Sequence, residues 1–185
     1  MSEENWSFEV LDEHGKTSTI GDLLSTSWNL MVMLRHGECI ECNMLMYELK
    51  SLHLHLQEWG VALMLVGYQE PNKLARIRER LHLDPTVRLV TNPSQSIHRQ
   101  LQLHSGFLGA FGPKALYNIV RGLFDGHVQT NFLGYHPQQS GLVLLDPQKQ
   151  IKWKHRSTHL GDIPTSGQIL AEILRFVSGP SGGAS

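Results

Sequence analysis

A chain of 185 residues, 41% of them hydrophobic and 18% charged, has the size of one globular domain and enough apolar side chain to bury a core without disulfide staples. Sixteen Lys plus Arg against seventeen Asp plus Glu leave a formal net charge of -1, which argues against nucleic acid or an anionic membrane surface as a partner. The opening segment MSEENWSFEV has neither the basic stretch nor the apolar core of a signal peptide. The longest apolar run, VALMLV at 61–66, is too short to span a bilayer, so a cytoplasmic protein without a membrane span is expected.

In chain order, Phe8 to Leu11 reads as a short strand, Gly15 as a turn, and a short helical segment starts near Thr19 to Gly21. WNLMVML at 28–34, apolar but for Asn29, is a run of strand length, the pattern of a strand covered on both faces. The segment RHGECIEC, 35–42, follows directly. Beyond it Leu45, Met46, Leu49, Leu52 and Leu56 recur at helical spacing, predicting an amphipathic helix to about Trp59 that Gly60 stops. VALMLV predicts a second buried strand, and after Pro71 the residues Leu74, Ile77 and Leu81 share one helical stripe. Strand, helix, strand, helix implies parallel pairing.

TVRLVT at 86–91 predicts another strand, and NPSQSIHRQLQL behind it a helix opening at Pro93. The stretch from His104 to Gly141 is glycine-rich, with Leu116, Ile119, Val120, Leu123 and Phe124 at helical spacing after FGPK; it reads as a loop-helix-loop insertion at about 104–141. GLVLLDPQKQIKWKH predicts a β-hairpin turning at Asp146-Pro147 with Ile151 and Trp153 inward. Ile169, Leu170, Ile173, Leu174 and Val177 predict a closing helix after Pro164. One domain over residues 1–177 is therefore expected, with SGPSGGAS at 178–185 a flexible tail.

The only two cysteines, Cys39 and Cys42, stand between the first buried strand and the first long helix. Backbone N–H groups at a helix start favour a thiolate, and Arg35 and His36 add positive charge, whereas Glu38 and Glu41 oppose it. Cys39, in the turn, is the candidate nucleophile. Residues three apart on a helical turn share a face, which brings the two sulfurs within reach of a disulfide after modest adjustment. Three readings fit the residues alone. A C-x-x-C after a buried strand in a βαβ pattern reads as a redox dithiol. His36, Cys39 and Cys42 have the ligand types for zinc but lack the second pair that four-ligand sites bring. The third reading is two small, half-buried residues at a helix start. Haem attachment needs His where the chain has Asn43, and a zinc-deaminase signature needs Pro before Cys39.

Several blocks extend the pattern. LMVMLRHGECIECNMLMYEL, GVALMLVGYQEPNKL, NPSQSIHRQLQL and HPQQSGLVLLDPQKQIKWKHRSTHLGD lie in order over roughly residues 8 to 177. Together they resemble the peroxiredoxin-like proteins of the AhpC/TSA antioxidant-enzyme type, within the thioredoxin-fold superfamily. The resemblance implies an α/β fold, a thioredoxin-like three-layer α/β/α sandwich with a mixed central sheet. It also implies a thiol-dependent oxidoreductase that reduces a peroxide, a lipid endoperoxide or a protein disulfide. Cys39 would be the attacking thiolate, Cys42 its resolving partner and Arg35 the stabiliser of the thiolate or developing anion. No bound cofactor or metal is implied; a thioredoxin-like external dithiol would restore the pair.

Peroxide-specialised relatives carry Pro and a Thr or Ser upstream of the nucleophile, where this chain has Val32 and His36; before the late strand they carry Arg, where it has Gln139 and Ser140. Generic thiol–disulfide exchange or slow peroxide reduction is expected rather than fast peroxidase turnover. His155, Arg156 and Asp162 match family positions with a structural role expected. A reading from another class is a non-enzymatic binding module whose SGFLGAFG segment, in the insertion, contacts a protein partner.

Overall fold

Alternation along the central strands decides the architecture, because successive side chains of a strand point to opposite faces. In the computed structural model, which describes residues 6–34, 40–103, 140–158 and 162–178, the strands are β1 (Glu9–Asp12), β2 (Thr17–Thr19), β3 (Trp28–Met33), β4 (Val61–Gly67), β5 (Arg88–Thr91), β6 (Gly141–Leu145) and β7 (Ile151–Arg156). The helices are α1 (Ile20–Leu23), α2 (Ile40–Glu58), α3 (Pro71–Leu81), α4 (Ser96–Gln100) and α5 (Ser166–Val177). Leu30 and Val32 of β3, Leu63 and Leu65 of β4, and Leu142 and Leu144 of β6 join one core with residues of α2, α3 and α5. Their neighbours Met31, Met33, Met64, Val66, Val143 and Leu145 join a second core with Trp6, Ile20, Ile97 and Leu101. The sheet is thus the middle layer of an α/β sandwich, as the unbroken apolar runs predict. Each such side chain contributes about 1.5–3 kcal/mol by leaving water, so β3, β4 and β6, apolar on both faces, dominate the core.

The sheet order is β2-β1-β5-β4-β3-β6-β7, with β3, β4 and β5 parallel and the other pairs antiparallel, so the sheet is mixed. The predicted helix-rich crossovers and the β6–β7 hairpin are present. β2 is not foreseen by the sequence reading: its residues Thr17, Ser18 and Thr19 are half-buried or exposed and carry no apolar alternation, and only pairing with β1 makes them a strand.

Two boundaries are corrected. The helix predicted to open at Pro93 opens at Ser96, because Asn92 organises the residues before it. Its backbone carbonyl accepts from Gln95 N–H (2.9 Å), and its Oδ1 accepts from Ile97 N–H and Ser96 Oγ, both at 3.2 Å, which caps α4 across the turn. β5 starts at Arg88 rather than Thr86, whose N–H and hydroxyl both donate to Asp84 Oδ1, at 2.8 and 2.6 Å. The expected insertion, apart from Ser140 and Gly141, and the tail beyond Ser178 lie outside the described residues. No helix among those described is long and apolar enough to cross a membrane.

Register brings distant segments to one end of the sheet. Met33 pairs with Val66 and with Gly141, Gly67 pairs with Thr91, and Gly141 pairs with Arg156. Leu34, Tyr68, Asn92, Ser140 and Ser157 therefore follow or precede strands along a single edge.

Candidate active site

That edge holds the carboxyl ends of β3, β4 and β5, where open α/β sheets bind ligands, and the cysteine segment leaves it directly after β3. Leu34 N–H still reaches Val66 O at 2.8 Å, so the chain remains in register with β4 up to the residue before Arg35. α2 begins at Ile40, which places Cys42 in its first turn, as the sequence predicts. Cys42 is 1% exposed and belongs to the core shared with Leu45, Met46 and Val32. Arg35, His36, Glu38 and Cys39 lie outside the described residues, as does the side chain of Glu41. The sulfur-to-sulfur geometry expected from the spacing therefore falls there too, and so do His36 and Cys39 of the zinc reading. Among the described residues no group of three or more His, Cys, Asp or Glu could hold a metal.

A buried histidine lies at the base of the segment. His98, on α4, has no exposed surface, and its Nε2 donates to the Leu34 carbonyl at 3.3 Å. A carbonyl only accepts, so Nε2 carries the hydrogen and Nδ1 is left with a lone pair that finds no partner among the described residues. Tyr68, just beyond β4, meets the ring edge-on with centroids 6.0 Å apart. Burial pushes the imidazole down from 6.5 to about 4, against which the Leu34 carbonyl pulls weakly upward. His98 is accordingly neutral at pH 7. It ties the helix after β5 to the last residue before the cysteine segment without adding charge.

The remaining groups on the edge are paired. Thr91 Oγ1 donates to Gln69 O, Asn92 N–H donates to Gly67 O (2.8 Å) and Asn92 Nδ2 donates to Glu9 O (2.9 Å), so the end of β5 fixes the start of the loop after β4. The hydroxyls of Ser140 and Ser157, both buried, lie 2.8 Å apart, and Ser157 Oγ donates to Asp162 O at 2.9 Å. His155 Nε2 donates to the same carbonyl (3.1 Å), while Asp162 Oδ2 accepts from Thr158 N–H and hydroxyl at 2.8 and 2.7 Å. These bonds give His155 and Asp162 work in holding the chain after β7. At the position where the resemblance would put Arg, Ser140 presents a hydroxyl engaged with Ser157.

Residue-by-residue reading misses His98, since a histidine among eleven in a polar-looking helix carries no mark. The one signal is the block NPSQSIHRQLQL itself, where an apolar i, i+4 pair, Ile97 and Leu101, brackets a buried ring.

Comparison with known proteins agrees with this architecture. The family model described as AhpC/TSA antioxidant enzyme matches residues 48–159. "Peroxiredoxin-like 2C" of Mus musculus is 27% identical over 195 residues, spanning 93% of this chain and 81% of that protein. "Thioredoxin-like protein AAED1, chloroplastic" of Arabidopsis thaliana is 25% identical over 171 residues, spanning 88% of this chain and 68% of that one. Among solved structures, peroxidoxin BcpB from Mycobacterium tuberculosis superposes with a TM-score of 0.66 at 15% identity, covering 91% of this chain and 92% of the other. A thiol peroxidase from Chromobacterium violaceum gives 0.58 at 17% identity, covering 95% and 87%. At such identities the structures speak for the fold.

Proposed function

The chain belongs to the AhpC/TSA antioxidant-enzyme family, a peroxiredoxin-like group with the thioredoxin fold, and from that premise we propose that it is a thiol peroxidase working through a Cys39–Cys42 dithiol cycle. The observation that carries the division of labour is the burial of Cys42 in the first turn of α2. A sulfur buried in the core that includes Val32, Leu45 and Met46 is closed to a dissolved substrate, which suits a resolving rather than an attacking role. Cys39, three residues earlier in the chain, is then the thiol assigned to substrate, and Cys42 the one that resolves it.

In the proposed cycle the Cys39 thiolate attacks the terminal oxygen of a hydroperoxide and the O–O bond breaks. Its other oxygen departs as an alkoxide that takes a proton, leaving Cys39 as the sulfenic acid. Cys42 attacks the Cys39 sulfur, the S–S bond forms and water leaves. A thioredoxin-like dithiol then reduces the disulfide by exchange. Arg35 and the N-terminus of α2 stabilise the thiolate and the departing oxyanion. The His98 ring, neutral at pH 7, supplies anchoring but no positive charge.

Thiol counting after stoichiometric hydrogen peroxide tests the reading. Two titratable thiols should fall to none in the wild type, while Cys42→Ser should stop at a sulfenic acid trappable by dimedone and lose dithiol-coupled turnover. Two thiols surviving the peroxide, or full turnover by Cys42→Ser, would refute it.

A further inference from the structure

We propose that Arg80 is a positioning residue for the resolving thiol: anchored on Asn43 in the first turn of α2, its guanidinium favours the thiolate form of Cys42. The inference rests on the dithiol reading, in which Cys42 must ionise before it attacks the Cys39 sulfur. A thiol in apolar surroundings resists that step, because burial disfavours the charged form. Cys42 is 1% exposed and shares its core with Val32 of β3, Leu45 of α2, and Leu74 and Ile77 of α3. The chemistry therefore needs a positive charge beside the start of α2 that does not itself occupy the core.

The neighbouring helix supplies one. Leu74 and Ile77 turn one face of α3 into the core, and Arg80, past Ile77 in the last turn, is exposed at its rim. Its Nη2 donates to Asn43 Oδ1 at 3.0 Å, across 37 residues of sequence. Asn43 directly follows Cys42, so chain geometry holds the guanidinium within about 13 Å of the sulfur. A guanidinium is a permanent charge on a rigid, planar set of donors. At that range, in surroundings between bulk water and a protein surface, it is worth a factor of about two to ten in the thiolate fraction.

The other charged groups around Cys42 are placed differently. Glu48, further along α2, accepts from Ser166 N–H at 2.7 Å on the flank toward α5. Lys73 and Arg76 precede Arg80 on one stripe of α3 at spacings of three and four, and Glu79 beside it is exposed. β3 and β6 carry only neutral side chains. Arg35, His36, Glu38 and the Glu41 side chain lie outside the described residues. A cation in the last turn of α3 also suits that helix's own dipole, a purely structural role that would leave Cys42 untouched.

In the full chain carrying Cys39→Ser, whose single cysteine is Cys42, the pH dependence of the ¹³Cβ shift of labelled cysteine reads this thiol alone. Arg80→Gln, which can still donate to Asn43 but has no charge, should raise the Cys42 pKa by about 0.3–1, and Arg80→Lys should stay close to the parent. Arg76→Gln, one turn earlier on the same stripe, should move it less than a third as far. Added salt should shrink the Arg80→Gln effect, since the guanidinium is exposed. With both cysteines present, loss of the dimedone-reactive sulfenic acid at pH 7 should slow about 1.5- to threefold in Arg80→Gln and recover in Arg80→Lys. The proposal is overturned if Arg80→Gln leaves the pKa and this rate unchanged, if Arg80→Lys behaves like Arg80→Gln, or if Arg76→Gln acts as strongly. The single-cysteine titration uses no peroxide, so it can fail while peroxide still consumes both thiols. Thiols that survive peroxide would instead sink the dithiol cycle without altering that titration.

Discussion

Acidification from pH 7 to 4 should cost the fold about 3 kcal/mol through His98 alone. The ring is held down from 6.5 to about 4 by burial, and at about 1.4 kcal/mol per decade of proton affinity that interval gives the figure. The sign follows from which state binds the proton. Between pH 6.5 and 4 the unfolded chain protonates this imidazole and the folded chain does not, so stability is full above about 6.5 and falls as pH drops toward 4. Urea unfolding at several pH values on the wild type and on His98→Gln isolates the effect. The glutamine amide nitrogen can reach the place of Nε2, donate to the Leu34 carbonyl and never titrate. The stability difference between the two proteins should shrink or reverse by about 3 kcal/mol across that window, while the ten other histidines cancel. His98→Phe, which removes the donor to Leu34, should lose about 1–3 kcal/mol at pH 7. A difference between wild type and His98→Gln that stays flat from pH 7 to 4 would show that the ring is not held neutral by burial.

Substitutions at three further positions probe the frame around the site. A Cβ at Gly141 would sit 2.7 Å from Leu103 Cδ2 and 2.9 Å from the His155 carbonyl, so Gly141→Ala should cost about 1–3 kcal/mol; an unchanged Tm would contradict that packing. Thr165 caps α5 in a reciprocal pair with Gln168, so Thr165→Ala should lose about 1 kcal/mol in urea unfolding and Thr165→Ser much less. Arg78 spans both Glu13 oxygens (2.9 and 2.8 Å) and the carbonyls of Asp84 and Val87 (3.0 and 2.9 Å). Because Lys cannot reproduce that fork, Arg78→Lys should be destabilised nearly as much as Arg78→Ala, by about 1.5–3 kcal/mol; full stability of the lysine variant would reduce the role of Arg78 to charge.

The fold was legible where burial alone dictates it. Apart from Asn29, residues 28–33 and 61–67 are apolar on both faces, and no amphipathic helix accounts for that pattern in runs so short, so β3 and β4 followed from residue type. β2 was not legible, because three hydroxyl residues become a strand only through the hydrogen bonds of β1. The start of α4 depends on an asparagine side chain folding back onto the turn that follows it, a choice Pro93 conceals. The site divides in the same way. Cys42 is placed by local periodicity, one turn into a helix after a strand. His98 acquires its role from a partner 64 residues away, a juxtaposition created by the parallel β3–β4–β5 register and invisible to any local window.

The same register limits where the charge for thiolate chemistry originates. On the edge that carries the cysteine segment, His98 is neutral at pH 7, the Ser140 and Ser157 hydroxyls engage each other, and Asn92 is spent on backbone. Arg156 lies on β7, two strands from β3, which at about 4.8 Å per strand is about 10 Å away, and it donates to Gln102. Against the carboxylates of Glu38 and Glu41, the described residues of this edge thus offer the start of the helix one positive term, the α2 N-terminus, worth about half a charge, and Arg35 and His36 are the basic neighbours of Cys39 in sequence. A helix end alone contributes about 0.3–1 kcal/mol to an exposed anion, less than one decade of thiol acidity. Within the proposed cycle Arg35 is then the residue whose loss should slow the first step most, and the missing arginine at Ser140 is consistent with slow rather than specialised peroxide reduction.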